Sequence, residues 1–396
     1  MPLAVIGAVL LLLGALAVAV GILPLGDVLA LADRAVPVLG FAVAITVVSE
    51  LLTMAGLFDW IAARIRRLAR GHAWLLWGLL CALSVVVTAF LSLDTTAVLL
   101  TPVVVVLARS SGLPPLPFAL STVWLANTAS LFLPISNLTN LLAVHRLEGM
   151  SPGGFAARMA VPGTMAVLVP LLVLALVFRR QLGRQPAHDG LGTPWRAAEP
   201  AAADAVEDRT LLAASGLVLA ALLPALVSGI AVWIPATGAA ALLVVLFALR
   251  RPHELTPRLV PWPLLLFASG LFVTMAASQR LGLQVLADAL LGSGEGSADL
   301  LRVAATGVLG ANVVNNLPAY LLLEQAAGSG LRLLALLIGV NAGALITPWA
   351  SLATLLWHDR LARMGVRVAW GGYLLLGLLV VPPTVAGAVL ALGLGR

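Results

Sequence analysis

The chain has 396 residues, 61% of them hydrophobic and only 10% charged. Soluble domains carry roughly a quarter charged residues, so one large water-soluble core is excluded, and apolar runs of spanning length recur from end to end. All 23 basic residues are Arg. The net charge of +6 comes from arginines in short loops beside apolar runs, a topology signal rather than a nucleic-acid footprint. Cys81 is the only cysteine, which excludes an intrachain disulfide, a Cys-based metal cluster and dithiol chemistry.

In chain order, the first run, 3–23, is longer than a signal-peptide core and lacks a basic start, so it reads as a retained helix. Further spans are expected at 35–57, 117–143, 158–178, 210–228, 231–249, 262–280, 331–357 and 370–393. Between the first of these and the hairpins lies Asp59–Arg70, with Trp60, Ile61, Ile65 and Leu68 toward one face and arginines elsewhere, the pattern of an interfacial helix. The segments 73–109 and 298–327 differ: each is apolar but interrupted by polar residues near its middle, as in a re-entrant hairpin. The long polar stretch 179–208 divides the chain into a first repeat, 1–178, and a second, 209–396. With the N-terminus inside and both hairpins re-entrant, 16 of the 23 arginines fall in cytoplasmic loops, which obeys the positive-inside rule.

The halves resemble each other. Residues 127–142, "NTASLFLPISNLTNLL", align without gaps on 341–356, "NAGALITPWASLATLL", sharing Asn, Leu and Pro positions. The hairpin cores align as Asp94–Ala97 on Asn316–Ala319. Five spans separate the hairpins, an odd number, so the copies are inverted, the plan of many secondary transporters. The fold expected is therefore all-α: a polytopic membrane protein with two re-entrant hairpins and two broken helices.

Charged groups and irregular backbone survive at membrane depth only where protein or a water-filled cavity surrounds them. That reasoning makes "SLDTT" at 92–96 a hairpin tip, with Ser92, Asp94, Thr95 and Thr96 facing a polar site. Pro134 and Pro348 break the other two helices, and the residues after them offer amides and hydroxyls. The expected substrate residues are Asp94, Thr95, Thr96, Asn127, Ser136, Asn137, Asn140, Asn315, Asn316, Asn341, Thr347, Ser351 and Thr354. Asp94 and Glu50 are the candidates for ion coupling, whereas Glu324 is expected to be peripheral. No catalytic constellation such as HExxH, GxSxG or clustered acids occurs, and no histidine has metal-ligand spacing.

These motifs resemble the arsenite and antimonite efflux permeases of the ion transporter superfamily, relatives of the divalent anion:sodium symporters. "DTTAVLLTP" at 94–102, "ANTASLFLPISNLTN" at 126–140, "NNLPA" at 315–319, "LITPWASLATLLW" at 345–357 and "GLFDW" at 56–60 carry the likeness, which spans nearly the whole chain. The resemblance implies a multi-pass plasma-membrane transporter working by elevator-like alternating access, with proton-coupled efflux of arsenite or antimonite. An anion or carboxylate permease, or a Na⁺/H⁺ antiporter, shares the same fold. Its partners would be the lipid bilayer and a small inorganic or organic anion or oxyanion, with a homodimer as a candidate assembly. No cofactor is expected beyond a proton or Na⁺ for coupling. The chain departs from the family at Asn127 and Asn341, where acids are expected, and at Leu345, where a lysine is. The first half also has four crossings where the family has five.

Overall fold

The computed structural model describes residues 2–147, 150–183, 208–328 and 330–394. Most of the divider 179–208 lies outside them. Among the described residues the chain is helical, without strands, and eight helices are long and apolar enough to cross a membrane.

The first half comprises α1 (Pro2–Ala19), α2 (Leu25–Met54), α3 (Leu57–Ala69), α4 (Ala73–Phe90), α5 (Leu93–Ser110), α6 (Pro115–Thr128), α7 (Leu138–Val144) and α8 (Pro152–Leu182). The second comprises α9 (Arg209–Ala225), α10 (Trp233–Arg250), α11 (Trp262–Leu291), α12 (Ser297–Val314), α13 (Asn316–Ala327), α14 (Gly330–Ala342), α15 (Leu352–Arg363) and α16 (Trp370–Leu394). Caps set several starts. Ser151 accepts from Gly154 N–H at 3.0 Å and Asp208 from Leu211 N–H at 2.9 Å. The Leu211 bond, helped by Arg250 at 3.2 Å, holds the Asp208 carboxyl below its ordinary value.

Several expected bounds shift. α2 begins at Leu25, ten residues before the apolar run expected at 35–57, because Pro24 opens a helix that carries Asp27 and Arg34. α11 runs to Leu291 through a π turn at Gln279–Leu283, where Gly282 has φ +97°. α3 buries Leu57, Phe58, Ala62, Ile65 and Ala69 against the protein while Trp60 and Leu68 are exposed. On the outer face Arg64 lies over the Trp60 ring at 5.8 Å.

Helix packing relies on small residues. α1 lies along α11 with Gly7 and Gly270 in backbone contact: a Cβ on Gly270 would stand 2.6 Å from the Gly7 carbonyl. Lipid supplies no hydrophobic drive between helices, so such close backbone approach provides the attraction. At the centre sit α6 and α14, buried on every side from Pro117 to Thr128 and from Arg332 to Ala342. Each ends in non-regular backbone, at 129–137 and 343–351, before α7 and α15 resume. These are the two broken helices. The arms α4 and α5, and likewise α12 and α13, pack on each other around single-residue reversals at Ser92 and Asn315.

Candidate functional site

Both hairpin tips bend at non-glycine residues with positive φ: Ser92 at +151° and Asn315 at +110°, with ψ of 166° and 153°. Each then caps the following arm. Ser92 Oγ accepts from Thr95 N–H at 3.1 Å, and Asn315 Oδ1 from Leu317 N–H at 3.3 Å. Ser92 therefore matches Asn315, and Asp94 matches Leu317. The sequence alignment of Asp94 with Asn316 is one residue out of register, because side-chain similarity outweighed the cap. Each break is also bonded to the first arm of its hairpin. Ser136 Oγ, in the first break, donates to Ala89 O at 2.7 Å; Trp349 Nε1, in the second, donates to Asn312 O at 2.8 Å.

Hairpin one borders a cavity of about 240 Å³ lined by Thr46, Ser49 and Glu50 of α2, Ser92, Asp94 and Thr95 of the tip, and Asn137 of the first break, among apolar side chains. Leu3, Pro261 and Leu264 close its other wall, so it lies toward the face that carries the N-terminus and α3. A hydroxyl chain joins the tip to α2: Ser92 Oγ to Thr95 Oγ1 at 3.0 Å, and Thr95 Oγ1 to Ser49 Oγ at 3.2 Å. Thr96 instead turns inward to Thr88, at 2.8 Å. Asp94 Oδ1 is buried without a hydrogen-bond partner. The charged residues lining the cavity are the two acids; neither Arg nor His lines it.

The other expected site residues are held by the protein itself. Asn137 and Thr139 donate to Asn341 Oδ1 at 2.9 and 3.0 Å, and Asn341 donates to Asn140 Oδ1 at 2.9 Å. Asn140 in turn donates to the Ser130 and Leu133 carbonyls. This amide clamp ties the first break to α14. Asn315 donates to Trp349 O and Asn316 N–H to Ala350 O, each at 2.8 Å, fastening hairpin two to the second break. Thr347 binds Asn312 at 3.0 Å through its N–H. Asn127, Ser351 and Thr354 are fully buried and do not line the cavity. The structure thus brings together Glu50, Asp94, Thr95 and Asn137, and distributes the rest behind them.

Sequence reasoning missed Ser49, Thr139 and Asn312. The signal for Ser49 was its place beside Glu50 in an apolar run. Asn312 adds bonds to Gly343, Thr347 and Trp349 to the hairpin-to-break contact, and nothing local distinguishes it. Glu324 is not peripheral. Its side chain is 4% exposed and accepts from Arg34 at 2.6 and 2.7 Å, with Arg146 at 3.4 Å. Arg34 also binds Leu142 O at 2.9 Å. Three separate segments meet there, at the end of the molecule opposite the cavity. Nearby His145 is held below its ordinary value by burial and by the Arg34 charge.

Two inverted hairpins meeting two broken helices define a transporter of the inverted-repeat class. The chain belongs to the CitMHS family, described as citrate transporter, whose pattern matches residues 3–339; it is a multi-pass membrane transporter. It is 28% identical over 411 residues to the arsenical pump membrane protein of Escherichia coli, covering 99% of this chain and 92% of that protein. The putative arsenical pump membrane protein of Bacillus subtilis is 26% identical over 360 residues, covering 83% and 81%. The crystal structure of the Alcanivorax borkumensis YdaH transporter shares the fold, with a TM-score of 0.61 at 15% identity over 99% of this chain and 97% of that one.

Proposed function

We propose that the protein is a secondary active transporter that exports arsenite or antimonite in exchange for protons, by elevator-like alternating access. The observation that carries this reading is the charge of the cavity. Its polar lining is hydroxyls, one amide and two carboxylates, without a cationic side chain. A polyanion such as citrate would meet two like charges in the lining, with the nearest cation, Arg360 beside Glu50, outside it, a costly arrangement at low dielectric. Arsenite at neutral pH is mainly an uncharged trihydroxide, and its three OH groups can donate to Asp94 and Asn137 and accept from Thr95 or Ser92. The names of the relatives agree with this substrate.

Asp94 is the coupling residue in this scheme. It stands at the hairpin tip with one oxygen free of protein partners, so it can take a substrate hydroxyl or a proton in turn. Glu50 lines the same space and offers a second carboxylate toward the face that carries α3.

The test is uptake into everted vesicles under imposed pH or Na⁺ gradients, with arsenite, sulfate, citrate and a dicarboxylate as solutes. Arsenite should accumulate when the vesicle interior is acid, independently of Na⁺. Accumulation of citrate or sulfate in place of arsenite overturns the substrate, and dependence on Na⁺ alone overturns the coupling ion.

A further inference from the structure

On the reading that trivalent arsenic crosses through the cavity at hairpin one, we propose that its preferred substrates are organic arsenicals of the form R–As(OH)₂, with R a methyl or phenyl group, rather than arsenite itself. The distribution of apolar side chains around the cavity points to this class. The polar lining comes from α2, the tip of hairpin one and the first break. α1, α11 and α15 contribute only apolar residues to the wall, among them Leu3, Leu264, Leu352 and Leu356. Leu138 of α7 stands next to Asn137 and joins them. All five leucines are half-buried, so each keeps apolar surface for a ligand to cover.

Sites for small molecules combine mostly apolar walls with a few placed polar groups. Arsenite carries a hydroxyl on every arm and has no apolar surface. It can use the polar lining, but it leaves the leucines against water. Replacing one hydroxyl by R keeps the molecule uncharged. The two remaining hydroxyls still serve Asp94, Asn137 and Thr95, while R takes the place of water on the leucine side. Pentavalent arsonates are anions and would meet Glu50 and Asp94 with no cation in the lining, so the selection is for the trivalent form.

Size agrees. The cavity holds about 240 Å³. A cavity of roughly 150 Å³ with leucine-type walls accommodates benzene, and arsenite is smaller than benzene. The space at hairpin one therefore exceeds what arsenite fills and leaves room for an aryl group beside two hydroxyls. Methyl covers the least of the wall and phenyl the most, so affinity should rise from arsenite through methylarsonous to phenylarsonous acid.

The test uses the purified protein in proteoliposomes, with gradient-driven accumulation of labelled arsenite as the readout and organic arsenicals as competitors. Relative to unlabelled arsenite, half-inhibition should need about threefold less methylarsonous acid and about tenfold less phenylarsonous acid. Pentavalent phenylarsonic acid should not compete. Preloaded methylarsonous acid should drive counterflow of labelled arsenite, as a transported solute does and a mere blocker does not; failure to do so overturns the proposal. Leu264→Asn and Leu352→Asn should each lower the preference for the phenyl compound over arsenite by about threefold or more, and a preference that both variants leave intact also overturns it. Binding is read separately, from the rise in Tm that each compound gives the protein in detergent. If arsenite accumulates and the order of the three compounds is flat or reversed, the transport reading stands and the preference fails. If arsenite does not accumulate but the Tm shifts keep the order and weaken in Leu264→Asn, the transport reading fails and the cavity's preference for organic arsenicals stands. Cys81 is buried and does not line the cavity, so the shifts should persist in Cys81→Ser; their loss there would mean capture by the thiol and overturns the proposal.

Discussion

Asp94 is one polar residue among apolar neighbours, and its meaning depends on what its two oxygens touch. Ser92, not Asp94, caps the arm α5, since Ser92 Oγ receives the Thr95 N–H. The capping explanation for the acid is thereby removed, and one of its oxygens has no protein partner. Asp94→Asn preserves size and hydrogen bonding but cannot titrate. It is expected to bind arsenite while losing accumulation driven by a pH gradient, leaving downhill exchange, as measured by counterflow against gradient-driven uptake in the same vesicles. Full gradient-driven uptake by the variant would remove Asp94 from coupling. His145 gives a pH dependence of the opposite end. Its folded value lies below the free value of 6.5, so the unfolded chain takes the proton first. Its contribution to stability is whole above about pH 6.5 and is lost as pH falls below that. His145→Gln should flatten the decline of Tm between pH 7.5 and 5.

At the level of elements, the hairpins and breaks are fastened to each other by a few directional bonds rather than by apolar area alone. Arg34 of α2, Glu324 of α13 and Arg146 after α7 form the tie at the end away from the cavity. Arg34→Ala strands a carboxylate that is 4% exposed, with Arg146 left at 3.4 Å. Removing one partner of a buried pair costs about 3 kcal/mol, which should appear as a lower Tm in detergent. Replacing both, with Arg34→Met and Glu324→Leu, should recover most of the loss; if the double variant is as unstable as the single one, the pair is not what holds these segments. The same tie closes one end of the molecule while the cavity lies toward the other. Weakening it is therefore expected to ease release of the hairpin as well as to lower stability.

For the whole molecule, the inverted repeat and the arginine distribution together predict an orientation. With the face bearing α3 in the cytoplasm, both ends of hairpin one face the cytoplasm and both ends of hairpin two face outside. A cysteine at Ser297 should be labelled by an impermeant reagent from outside, and one at Gly112 should not. Cys81 is buried, so the background is low. The reverse pattern would overturn the orientation. The chain by itself determined the helical class, the positions of both hairpins and both breaks, and the existence of two matching halves, though not the register of the hairpin tips. Those follow from local rules: apolar length, proline chemistry, and polar residues that lipid cannot accept. Only the tertiary structure decided which of the polar residues share the cavity. Asn127, Asn137, Asn140, Ser351 and Thr354 read alike in sequence, yet Asn137 lines the cavity and with Asn140 grips a neighbouring helix, while Asn127 and Ser351 are left with unpaired atoms. Burial and hydrogen-bond partnership are set by segments some 200 residues apart in sequence, as with Asn137 and Asn341, and no local pattern encodes that distance. Arg34 and Glu324, 290 residues apart, were unreadable as a pair for the same reason.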